Sequence, residues 1–160
     1  MVPMLLSLMM AAAAPAPQFQ TMPGRPDIAA VRADDPEMND AKARARASLP
    51  EFFRHLANPG AGEHGFTVKF DLDPSPSAEF IWAGDLEREG DHWVGTLINE
   101  PVTDGFSQGQ RVVIRESTII DWNYTRNGVA MGHHTTRVLL RRMPEAEAEA
   151  IRRQLGWATI

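Results

Sequence analysis

The chain contains no cysteine. That absence excludes disulfides, thiolate nucleophiles, zinc–thiolate sites and a cysteine for lipid attachment. No phosphate-cradling glycine motif is present, since neither Gly105 nor Gly109 belongs to one, and no dinucleotide fingerprint occurs. The helical metal spacings His-x-x-x-His and His-Glu-x-x-His are missing as well. A basic stripe is also lacking. Between His64 and Thr136 five basic side chains stand against eleven acidic ones, and from Arg137 onward five Arg stand against three Glu. A nucleic-acid binder would carry its positive charge on the main body of the domain, so nucleic acid is excluded as a partner. There is no internal repeat.

What remains is an ordinary globular composition. The 160 residues are 43% hydrophobic and 23% charged, with a net charge of −5, enough for one domain with a real core. The run Met4–Ala14 is uncharged and mostly apolar, ends in small residues, and precedes Pro15-Ala16-Pro17. It is too short to span a bilayer but suits the apolar part of a secretory signal, although no Lys or Arg precedes it. The expected organisation is a signal peptide over 1–16, a flexible leader over 17–33 and a single domain over 34–160. Localisation is then periplasmic or secreted, with no membrane span after the leader is removed.

Asp35-Pro36-Glu37 marks a helix start, with Asp35 as N-cap and Pro36 in the first turn. Met38, Ala41, Ala45 and Leu49 recur at helical spacing, with Arg44 and Arg46 late. Pro50 interrupts, and the Ser48/Glu51 capping-box spacing predicts a second short helix through Phe52, Phe53 and Leu56. From Phe66 the period becomes two: Phe66, Val68, Phe70 and Leu72 alternate with polar residues. Asp73-Pro74-Ser75-Pro76 reads as a turn. Further strands are expected at 79–83, 92–98, 111–115, 119–124 and 129–140, with hairpins at Glu89-Gly90-Asp91 and Asn127-Gly128. Pro144 to Leu155 carries early Glu and late Arg before Gly156, a helix with its stop signal. The fold class is α+β: a six-strand antiparallel β-meander, curled or partly closed as a barrel, with two N-terminal helices and one C-terminal helix.

A two-residue loop at Asn127-Gly128 makes the numbers of opposed residues sum to 255. Arg126 then faces Val129, Tyr124 faces Met131, Trp122 faces His133 and Asp121 faces His134. A carboxylate beside an imidazole raises its pKa and orients it, as a general base requires. The structural alternative is an ordinary cross-strand pair. His133 and His134 point to opposite faces of a strand, so no metal site is expected. Trp82, Trp93, Trp122 and Tyr124 read as core, with a half-exposed aromatic wall for a ligand as the functional alternative. Asn99-Glu100-Pro101 ends a strand, and a turn needs no Glu at position 100.

The order of Glu79-Phe80-Ile81-Trp82, Asn99-Glu100-Pro101, Asp121-Trp122 with Tyr124, and Gly132 to Leu140 resembles the YegJ-like bacterial family, domain of unknown function 2314. The resemblance covers about Asp34 to Met143 and implies a bacterial origin but no established activity or active site. It departs at Gly132-His133-His134-Thr135-Thr136-Arg137, where the family looks like Gly-x-Tyr/Phe-Thr-x-Arg. The functional expectation is an exported, non-enzymatic binding or interaction module of the cell envelope, taking an unidentified protein or small ligand and no cofactor. Trp82, Asn99, Trp122, Tyr124 and His133 are its candidate binding residues. The rival is a small hydrolase or transferase using Asp121, His134 and Glu100 as acid–base groups. An immunity-like protein that neutralises a toxin is a special case of the first reading.

Overall fold

The computed structural model describes residues 35–73 and 78–157. The expected signal peptide, the leader and the Pro74–Pro76 part of the expected turn lie outside them. Helix α1 (Pro36–Ala47) begins as its sequence dictates: the Asp35 carboxylate accepts from the Met38 N–H at 3.0 Å, and Pro36 sits in the first turn. Met38, Ala41 and Ala45 form its buried stripe. Helix α2 (Leu49–Ala57) follows at once, but without the expected capping box. The Ser48 hydroxyl turns back instead to the Arg44 and Ala45 carbonyls, at 2.9 and 3.1 Å.

Six strands follow: β1 (Glu63–Asp71), β2 (Phe80–Glu89), β3 (His92–Leu97), β4 (Arg111–Ile114), β5 (Ile119–Arg126) and β6 (Val129–Gly132). They form one antiparallel sheet in the order β4-β3-β2-β1-β5-β6. The first four strands meander. After β4 a short 3-10 turn at Glu116–Thr118 sends the chain back to the free side of β1, where β5 pairs. The sheet is open rather than closed, so β4 and β6 are its edges. The outer edge of β6 is occupied: the Ala130 N–H donates to the Leu155 carbonyl and its carbonyl accepts from Trp157 Nε1, both at 2.8 Å. Strand β4 is four residues long with Arg at one end and Arg115 just past the other, features that resist added strands.

Alternation along the strands separates two faces. Val68, Phe70, Ile81, Ala83, Leu97, Trp122 and Tyr124 are buried on one face, against Phe52 of α2. The Phe52 ring is 5.4 Å from Trp122 and 5.9 Å from Phe66, and Phe53 stacks on Trp93 at 4.5 Å. Thr67, Lys69 and Asp71 of β1 point the other way, beside Phe80 and Trp82 of β2 and Asp121 of β5.

The Asn127-Gly128 turn has the left-handed angles a tight hairpin needs, φ 50° and 79°. Its register is the expected one: Arg126 faces Val129, Tyr124 faces Met131, and the His133 N–H reaches the Trp122 carbonyl at 2.9 Å. There the expected last strand ends, eight residues before Leu140. Gly132 (φ 78°) and His133 (φ 54°) both take left-handed angles and turn the chain into helix α3 (His134–Leu140). A Cβ on Gly132 would strike the Trp122 carbonyl and indole, so only glycine fits there. Helix α4 (Glu145–Gln154) closes the domain and stops at Gly156, as its sequence signals indicate. Among the described residues the architecture is α+β with four helices, because a short helix replaces the end of the last strand.

Candidate functional site

Asp121 is the most completely buried charged residue among the described residues, with no exposure to solvent. One carboxylate oxygen accepts from the N–H groups of Trp122 (2.9 Å) and His134 (3.0 Å). The other accepts from the Thr135 N–H (2.7 Å) and hydroxyl (2.6 Å). The reason lies in the turn just described. His133, at the N-cap position of α3, offers no side-chain cap to the new helix. Asp121 supplies the missing acceptor from the neighbouring strand, to the backbone donors a helix start leaves unpaired. The expected pairing of Asp121 with the His134 ring is thus replaced by pairing with the His134 backbone.

The two histidines diverge. His133 is buried, with its Nδ1 3.1 Å from the Thr136 hydroxyl and its ring 5.2 Å from Trp82. Burial pulls its pKa down to about 4, with Asp121 opposing the fall. His134 is half-buried and meets Trp122 edge-on at 5.4 Å, and burial lowers its pKa too. Its Nε2 lies 3.5 Å from the Ser48 hydroxyl, but that hydroxyl is committed to helix carbonyls and to Trp122 Nε1.

The remaining expected site residues are dispersed. Trp122 and Tyr124 stack at 5.9 Å in the core, and the Trp122 indole N–H also donates to the Ala45 carbonyl at 3.1 Å. Glu100 is exposed and accepts from the Gln108 N–H at 3.1 Å within the β3–β4 loop. Asn99 belongs to the same loop, which Glu79 pins through Val102 and Thr103. Strands β1 and β2 separate β3, after which the Glu100 loop follows, from β5, which carries Asp121. Of the expected binding residues, Trp82 and His133 meet on the sheet face away from α2.

Two groups escape a sequence reading. Glu63 holds His55 Nδ1 at 3.0 Å, Arg126 Nε at 2.7 Å and the Gly60 N–H at 2.8 Å, while Arg126 donates to the Tyr124 hydroxyl at 2.8 Å. These donors, the Gly60 N–H first, hold the Glu63 carboxyl below its usual range. A register shift between His64 and Thr67 breaks the alternation there, which hides Glu63 as a strand residue. The second group is Lys42 and Lys69, which lie over Phe80 and Trp82 at 4.6 and 5.8 Å. Burial lowers both ammonium pKa values; Asp121 opposes this for Lys69, and Asp71 for Lys42. Among the described residues no cluster of three His, Asp or Glu side chains is placed to hold a metal ion, and no helix is long and apolar enough to cross a membrane.

Fold and centre together define a small α+β domain whose deepest carboxylate clamps a helix to a sheet. The family model for uncharacterised proteins conserved in bacteria, domain of unknown function 2314, matches residues 35–158, and the chain belongs to that family. No curated protein and no solved structure matches it.

Proposed function

We propose that this domain is a non-enzymatic binding module of the bacterial envelope, exported by the signal-like segment Met4–Ala14. The single observation that carries the binding reading is the commitment of Asp121. Its carboxylate takes four internal hydrogen bonds, so its lone pairs are spent on holding α3 and not on abstracting a proton. Among the described residues, His134, its expected partner, has no carboxylate bonded to its ring. The half-covered strip around Trp82 is the surface left for a ligand.

Two measurements test this reading. A fusion of the full chain to alkaline phosphatase, active only outside the cytoplasm, is expected to be active, and to lose activity when residues 1–16 are deleted. An inactive full-length fusion overturns the envelope assignment. Purified protein is expected to show no turnover across ester, phosphoester and amide substrates. Turnover that disappears in both Asp121→Asn and His134→Gln, with the variants folded, overturns the binding reading.

A further inference from the structure

The chain has only two lysines, Lys42 and Lys69, and the fold brings both to one strip. Lys69 of β1 faces Trp82 of β2, and two residues along the same strand pair Asp71 faces Phe80. Phe80 and Trp82 therefore share a face. Lys42 reaches in from α1, with its ammonium 4.6 Å above the Phe80 ring, and Lys69 lies 5.8 Å from the Trp82 ring. Phe80 is 39% exposed and Trp82 half-buried, so the aromatic floor is open to solvent.

Neither ammonium has a hydrogen bond or a close ion pair among the described residues, although Asp121 attracts Lys69, and Asp71 and Asp35 attract Lys42, at longer range. Scarcity of acids is not the cause, since the chain has 21 acidic against 16 basic residues. Asp121 lies across the strand pair from Lys69 but has its oxygens filled by backbone and hydroxyl donors. Asp35 is bonded to Arg142. Asp71, beside Phe80, has its carboxyl pushed up by burial, with Lys42 opposing the rise. Each lysine also depresses the other or is depressed by a further cation, Lys69 by Lys42 and Lys42 by Arg46. Two partly desolvated cations over aromatic rings, with no carboxylate in direct contact with either ammonium, leave donors that an incoming anion can take.

We propose that the strip of Lys42, Lys69, Phe80 and Trp82 binds a small organic anion, a carboxylate or phosphate carried on an apolar body. The lysines take the charged group, and the rings take the body. This rests on the binding reading above and names its ligand class.

Calorimetric titration of the purified domain tests it with four probes: benzoate, phenyl phosphate, inorganic phosphate and benzyl alcohol. Saturable binding is expected for benzoate or phenyl phosphate, and which of the two binds more tightly tells carboxylate from phosphate. Inorganic phosphate is expected to bind more weakly, lacking the body, and benzyl alcohol not to bind, lacking the charge. Lys69→Met and Lys42→Met keep the apolar stems and are expected to weaken binding by about tenfold or more each. Trp82→Leu is expected to remove the advantage of phenyl phosphate over inorganic phosphate. The proposal is overturned if neither organic anion binds saturably, or if the folded Lys42→Met/Lys69→Met double variant binds as tightly as the wild type. An active phosphatase fusion with no anion binding sinks the anion site and leaves the envelope reading standing; anion binding with an inactive fusion does the reverse.

Discussion

Replacing Asp121 by alanine is the sharpest perturbation available, because it separates a structural clamp from a chemical group. The substitution removes the acceptor for three backbone N–H groups, those of Trp122, His134 and Thr135, and for the Thr135 hydroxyl. The Thr135 donors are buried and cannot turn to water, while the His134 N–H is partly covered. Each buried donor left unpaired costs about 1–3 kcal/mol. Counting the buried Thr135 and Trp122 donors as orphaned, with the Thr135 hydroxyl free to rotate and the His134 N–H partly rehydrated, gives a loss of roughly 3–5 kcal/mol. That is a large share of the stability of an ordinary domain, about 5–15 kcal/mol. Asp121→Asn retains one acceptor oxygen but aims its amide at the remaining donors, so it is expected to fall between alanine and wild type. Urea unfolding at neutral pH, followed by tryptophan fluorescence and far-ultraviolet circular dichroism, measures both. Hydrogen exchange should show protection lost first over residues 134–140, the helix that Asp121 starts. An Asp121→Ala variant within about 0.5 kcal/mol of wild type, with that helix still protected, would refute the clamp.

The folded His133 binds its proton less readily than the unfolded chain, with a pKa of about 4 against an ordinary 6.5. Its stabilising contribution is therefore complete above pH 6.5 and is lost as the pH falls toward 4, by up to about 3 kcal/mol. Thermal midpoints across that window should slope for the wild type and flatten in His133→Asn, whose side chain tolerates the left-handed backbone at φ 54°. Gly132→Ala meets the Trp122 carbonyl and a φ of 78°, and is expected to cost about 2–4 kcal/mol in urea unfolding. Phe52→Ala empties the space between Trp122, Tyr124 and Phe66, with an expected loss of about 3–5 kcal/mol by the same assay. Glu63→Gln removes the carboxylate that bonds Arg126 and His55, and should lower the thermal midpoint at pH 7, the difference shrinking below the ordinary carboxylate pKa and vanishing only once the pH has passed the lowered Glu63 pKa.

Local chemistry made much of the fold legible. Asp35-Pro36 starts a helix by its own geometry, Asn127-Gly128 sets a hairpin register, and Phe66 to Leu72 alternates because one face is buried. What escaped depends on contacts distant in sequence. Thr135, Thr136 and Val138 favour a strand, and they form a helix because Asp121, 14 residues earlier than Thr135, caps it from β5. The return of β5 to the free side of β1 is a choice among topologies that no single turn announces. Residue type alone marks Trp82 and His133, which the fold brings into ring contact. It does not mark Lys42 and Lys69, because each reads locally as an ordinary polar position on an amphipathic element, and only the sheet order brings them together.

The seal on β6 has a practical meaning. Ala130 meets Leu155 and Trp157, so the final turn of the domain acts as a gasket along one rim of the sheet. A chain cut back before Leu155 would bare an amide and a carbonyl already aligned for another strand. Such shortened forms should multimerise through that rim, whereas the intact domain keeps it shut.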